Sequence, residues 1–198
     1  MGKLLIFDSG INTNELDEFL CRNNIKIRED YRQLIIKYGN CKKLLKNGFS
    51  DFTYQKMKSY YLESDDLYDD QVPCNTTFIG TDFDDEPLCI DYYTGEIHTY
   101  FKKTKDLFYY ENIDSLLFYC FMNSSYLNII FNNIENNIKI YDPEYFLANN
   151  DRFKLTKIQN EIYYFIDYKL YKVYNHIYES DNCYLIANIF EGGVLENY

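Results

Sequence analysis

TTFIGTDFDDEPLCIDYYTGEIHTYF, residues 76–101, sets the architecture of the chain. Leu88, Ile90 and Tyr92 alternate with Cys89, Asp91 and Tyr93, and Glu96 to Tyr100 returns with its own alternation. A period of two on both sides of Thr94-Gly95 predicts an antiparallel hairpin over 87–101, with Gly95 supplying the positive φ of the turn. Thr76 to Ile79 reads as a further extended run ending at Gly80. The flanks change period. Asn12 with Glu15 starts a short helix carrying Leu16, Phe19 and Leu20 on one face. Arg28 to Tyr31 opens a second, with Tyr31, Leu34, Ile35 and Tyr38 in register and Gly39-Asn40 as a left-handed stop. Leu44 and Leu45 suggest another turn or two before Gly48, and Ile113, Leu116, Leu117, Cys120 and Phe121 mark a helix over 112–123 capped by Asn112. Helices, then strands, then a helix imply an α+β fold in which helices cover one side of an antiparallel sheet.

Beyond Ser124 the pattern is weaker. Leu127, Ile130, Phe131 and Ile134 have helical spacing, but the surrounding Asn residues lower helix propensity, so helix and strand compete. Asp142-Pro143 is a helix start. The runs 153–158, 162–166, 170–178 and 183–190 are short, β-branched and aromatic, which fits a small meander. The expected organisation is a first domain over 1–124 and a C-terminal, β-rich extension over 125–198 packed on it.

The chain has 198 residues, 20 Lys plus Arg against 31 Asp plus Glu, and a net charge of −11. That sign disfavours nucleic acid, whose phosphates reward clustered cations, and favours a basic partner. With 23 Tyr, 15 Phe and no Trp, some rings are expected at the surface, where tyrosine suits protein recognition. A codon bias toward Tyr, Asn, Ile and Lys explains the composition as a whole without selection for binding. The six cysteines are scattered with no C-x-x-C pair and no His at ligand spacing, which argues against zinc and for free thiols in the cytoplasm. Leu4 to Phe7 is cut short by Asp8, so neither a signal peptide nor a membrane span is expected. Met1-Gly2 is not a myristoylation signal, since Ile6 stands where Ser or Thr is required.

The cluster Thr81-Asp82-Phe83-Asp84-Asp85-Glu86 admits three readings: a metal or paired-carboxylate site, a solvated loop, or a binding surface. It fails the calcium-loop template, because the positions that should be Gly and bidentate Glu are Pro87 and Tyr93. As a surface, Asp82, Asp84, Asp85 and Glu86, with Asp65, Asp66, Asp69 and Asp70 of a second acidic loop, would steer a cationic partner. The outward ring of each of the pairs Tyr60-Tyr61, Tyr92-Tyr93 and Tyr109-Tyr110 is a further contact candidate, Tyr93 chief among them. Asp91 is expected to flank the hairpin turn and accept its backbone hydrogen bonds. Cys89 and His98 could face one another across the hairpin, but a strand thiol is more often a small hydrophobe than a nucleophile. No phosphate or dinucleotide fingerprint is present, so no cofactor, no metal and no catalytic residue are expected.

Taken together, Ile27-Arg28-Glu29-Asp30-Tyr31, Leu34-Ile35, Tyr38-Gly39-Asn40, Phe78-Ile79-Gly80, Pro87 to Asp91, Thr94 to Ile97 and Asn112 to Leu116 with Phe118 resemble the SUKH superfamily, which unites bacterial immunity proteins and a fungal cell-wall synthesis regulator. The resemblance spans residues 12–124 and rests on fold-forming motifs. Ile27-Arg28 replaces the family's Leu-Pro, Gly39-Asn40 inverts its Asn-Gly, and the loop after Gly80 carries extra carboxylates. What it implies is a non-catalytic immunity protein that binds and neutralises a cognate bacterial toxin, with a basic, nuclease-type toxin as the candidate partner. The alternatives are a regulatory or scaffold binding protein and, from a different class, a metal-dependent hydrolase built on residues 82–86.

Overall fold

The computed structural model describes residues 10–63, 71–124, 127–179 and 182–192. Contacts divide the chain into two compact units, 1–124 and 125–198.

The first unit opens with α1 (Thr13–Arg22), whose first turn is capped by the Asn12 side chain accepting from the Asn14 N–H at 2.9 Å. Helix α2 (Glu29–Tyr38) buries Tyr31, Leu34 and Ile35. It stops differently from expectation: Gly39 has φ −54°, a right-handed conformation, and the absent side chain instead lets Ile11 and Tyr54 approach. After α3 (Lys42–Leu45) come a two-residue hairpin, β1 (Lys46–Asn47) and β2 (Ser50–Asp51), and then α4 (Tyr54–Glu63). Strands β3 (Thr76–Thr81), β4 (Pro87–Asp91), β5 (Ile97–Phe101) and β6 (Thr104–Tyr110) follow, and α5 (Ile113–Met122) closes the unit with Asn112 accepting from the Ser115 N–H. Strands β1 to β6 lie in sequence order, each antiparallel to the next.

The hairpin over 87–101 has Leu88, Cys89 and Ile90 opposite Thr99, His98 and Ile97. Gly80 produces a register shift between β3 and β4; its φ is +146°, and a Cβ there would collide with the Asp51 carbonyl. Tyr31, Ile35, Met57, Phe78, Ile79, Leu88, Ile90 and Ile97 form the buried centre. Each such side chain stabilises the fold by about 1.5–3 kcal/mol relative to exposure.

The second unit contains α6 (Leu127–Ile130), β7 (Phe131–Ile140), α7 (Pro143–Asn150), β8 (Lys154–Ile158), β9 (Glu161–Ile166), β10 (Lys169–Glu179) and β11 (Asn182–Gly192). Their order is β8-β9-β10-β11-β7, again antiparallel. Tyr164, Val173, Leu185 and Ala187 form its core under Phe146 and Leu147 of α7. Asp142 caps α7 with Pro143 in its first turn.

The expectation of a helix-covered α+β fold is therefore corrected. Among the described residues eleven strands carry the architecture, every pairing is antiparallel, and the helices are ten residues or shorter. Strand β6 and the β1–β2 hairpin carry no clear period-two signal, so reading the sequence undercounts strands. None of the described helices is long and apolar enough to cross a membrane.

Candidate binding surface

Strand β4 has a carboxylate loop at one end and a tyrosine turn at the other. At the first end the chain leaves β3 through Asp82, whose side chain is buried. Its Oδ1 accepts from the backbone N–H groups of Asp84 and Glu86, both at 2.9 Å, and its Oδ2 accepts from the Tyr109 hydroxyl. The Asp82 N–H donates to the Glu86 carbonyl, and the Asp85 N–H to the Asp82 carbonyl. Three bonds to the Asp82 carboxylate and two between backbone groups thus hold a small loop, and Asp85 takes the left-handed φ of +62° that completes it. Outside this knot stand Phe83, 52% exposed, and the exposed Asp84, Asp85 and Glu86. Asp85 meets Lys56 Nζ of α4 at 3.3 Å. Partial desolvation, together with the neighbouring carboxylates of Asp82, Asp84 and Asp106, pushes the Glu86 carboxyl up. Negative charge in this loop exceeds its local compensation.

At the other end Asp91 is the turn's anchor, as its place in the sequence suggests. Its Oδ1 accepts from the N–H groups of Tyr93 and Thr94, and its Oδ2 pairs with Lys105 of β6. Burial alone would raise this carboxyl; Lys105 and the two N–H groups outweigh burial and hold it at about 2. Arg28 clamps the same turn, donating to the Tyr92 and Tyr93 carbonyls while bound to Asp30. Gly95, at φ +82°, leaves just enough room for that guanidinium, 3.1 Å from where a Cβ would sit. The turn presents Tyr92 and Tyr93, 44% and 72% exposed, their rings edge to face. Both lie outside the core because 92–93 is a turn, so the expected division into one inward and one outward ring does not apply. Nor does it at Tyr109 and Tyr110, which are both buried.

The candidate contact residues therefore do not form one face. Asp84, Asp85 and Glu86 cluster with Phe83, whereas Tyr93 lies at the far end of β4, on the order of 15 Å away at about 3.4 Å per strand residue. Asp82 is corrected from a surface contact to a buried structural anchor, since its oxygens are turned inward and bonded. Asp65, Asp66, Asp69 and Asp70 lie outside the described residues. Sequence reasoning missed Phe83 and Lys56. An aromatic residue inside a run of carboxylates was the available signal for the first; the second reaches the loop from α4 and leaves none.

Both Asp82 oxygens are engaged by protein donors, and no group of three or more His, Cys, Asp or Glu arranged to hold a metal occurs among the described residues. Cys89 does face His98 across the hairpin, but burial pushes its thiol up to about 11, so it stays protonated at neutral pH. No protein-family model, no curated protein and no solved structure matches this chain.

Proposed function

We propose that this chain is a non-catalytic immunity protein that binds and neutralises a cognate, basic protein toxin. One observation carries the reading: a loop pinned from within by Asp82 holds an exposed aromatic ring, Phe83, among three exposed carboxylates. An ordered aromatic anchor ringed by one sign of charge suits a cationic groove, where charge speeds encounter and the ring adds buried area. The chain's net charge of −11 acts in the same direction at long range. The motif resemblance of residues 12–124 to the SUKH superfamily supplies the immunity role.

The test is protection. Cells producing a toxin domain encoded beside this gene should survive when the chain is co-produced, and the two proteins should purify as a stoichiometric complex. Equal killing with and without the chain, or turnover of any substrate by the purified chain, would remove the reading.

A further inference from the structure

A pocket of about 240 Å³ opens between α4 and the start of β4, next to the carboxylate loop. Its floor is apolar: Tyr60 and Phe78 stack with centroids 4.0 Å apart and planes 11° from parallel, and Pro87 forms a wall. The rest of its lining is polar, with Ser59 and Thr81 beside the carboxylates Glu63 and Asp85 and the cation Lys56. The volume lies below the ~300–1,000 Å³ of sites that take drug-sized ligands, and suits one long side chain.

An apolar floor under carboxylates is the complement of a side chain with a methylene stem and a cationic head. Such a residue is already present. Lys56 reaches Asp85 at 3.3 Å and its side chain is only 26% exposed. Two carboxylates, Glu63 and Asp85, line the pocket against this one lysine, so one negative charge is left without a cation in the lining.

We propose that this pocket receives a cationic side chain of a partner protein, and that Lys56 is its built-in competitor. The inference rests on the binding role above and adds the place and chemistry of one contact. The incoming head shares Glu63 and Asp85 and displaces Lys56 from Asp85; the stem lies along Tyr60, Phe78 and Pro87. A self-paired carboxylate of this kind keeps the free protein from capturing stray cations, because a newcomer must offer more than the internal lysine.

The competitor gives a distinctive test. N-acetyl-arginine methylamide is titrated into the full chain and followed by backbone amide shifts, with the uncharged isostere N-acetyl-citrulline methylamide as control. Saturable shifts at Lys56, Ser59 and Asp85 are expected with the arginine probe alone. Lys56→Met should tighten the probe about two- to fivefold, the worth of a part-exposed ion pair. Lys37→Met, with the same net charge, should leave the affinity unchanged, and Glu63→Gln with Asp85→Asn should weaken it by a similar factor. Equal shifts with both probes, or no tightening in Lys56→Met, would overturn the proposal. If the pocket binds arginine while cells gain no protection, the immunity reading alone fails; if protection holds and the pocket ignores arginine, the pocket alone fails.

Discussion

Replacing Asp82 by Ala should cost far more than its place in an acidic surface loop suggests. The substitution removes the acceptor of two backbone N–H groups, those of Asp84 and Glu86, and of the buried Tyr109 hydroxyl. Hydrogen bonds to a charged group contribute about 1.5–3 kcal/mol each, but the two bonds from the loop amides are only part-buried, so a total of about 3–5 kcal/mol is expected. Asp82→Asn keeps an oxygen for the two N–H groups and loses the charge, which places it between, at about 1–2 kcal/mol. Asp84→Asn, at an exposed position, should stay within about 0.5 kcal/mol of the parent. Urea unfolding followed by tyrosine near-ultraviolet circular dichroism gives the energies, and amide exchange gives the local effect. Protection at the Asp84 and Glu86 amides should disappear in Asp82→Ala. A stability equal to that of Asp84→Asn, or retained protection of those amides, would refute the assignment of Asp82 as the loop's anchor.

Other positions give independent checks. The Asp91 carboxyl, held at about 2 against the usual 3.8, binds its proton less readily folded than unfolded. Its contribution of about 2 kcal/mol is therefore present above about pH 4 and lost as pH falls toward 2; Asp91→Asn should flatten stability over that window. Gly80→Ala should destabilise by at least about 1 kcal/mol in thermal unfolding, because φ is +146° and the new methyl meets the Asp51 carbonyl. Among the cysteines whose side chains are described, alkylation at pH 8 should modify the exposed Cys21 and Cys74 first. The buried Cys41, Cys89 and Cys120 should react only on unfolding, with burial holding the Cys89 and Cys120 thiols at about 11 and about 12.

How much of this was legible depended on whether local chemistry announced itself. The 87–101 hairpin did, because Thr94-Gly95 carries the turn and the flanking residues alternate. The next hairpin did not. Lys102 and Lys103 turn β5 into β6 with φ of 45° and 64°, a conformation that sequence rules assign to Asn-Gly, so β6 passed unseen. Asp167 and Tyr168 do the same between β9 and β10, where β-branched and aromatic runs on both sides marked the strands anyway. Strand β7 ends the sheet order of its unit and is exposed at eight successive positions from Asn132 to Lys139, so no buried face imposes a period on it. At the candidate surface, the carboxylates were visible but their division was not. Asp82 and Asp91 each head a tight turn and bond the N–H two residues on, yet only at Asp91 did a following glycine flag it. Lys56 reaches the loop and Glu63 lines the adjoining pocket, both from α4, and adjacency of that sort has no spacing signature.

The proposed recognition of a basic protein rests on the Phe83–Glu86 loop. Stopped-flow association with the toxin domain, comparing the parent chain with the triple variant Asp84→Asn, Asp85→Asn, Glu86→Gln, tests it most directly. An association rate lower by about tenfold is expected for the variant at low ionic strength, with a difference that shrinks as salt is added and with unfolding unchanged. Equal association rates for the two proteins at low salt would contradict it.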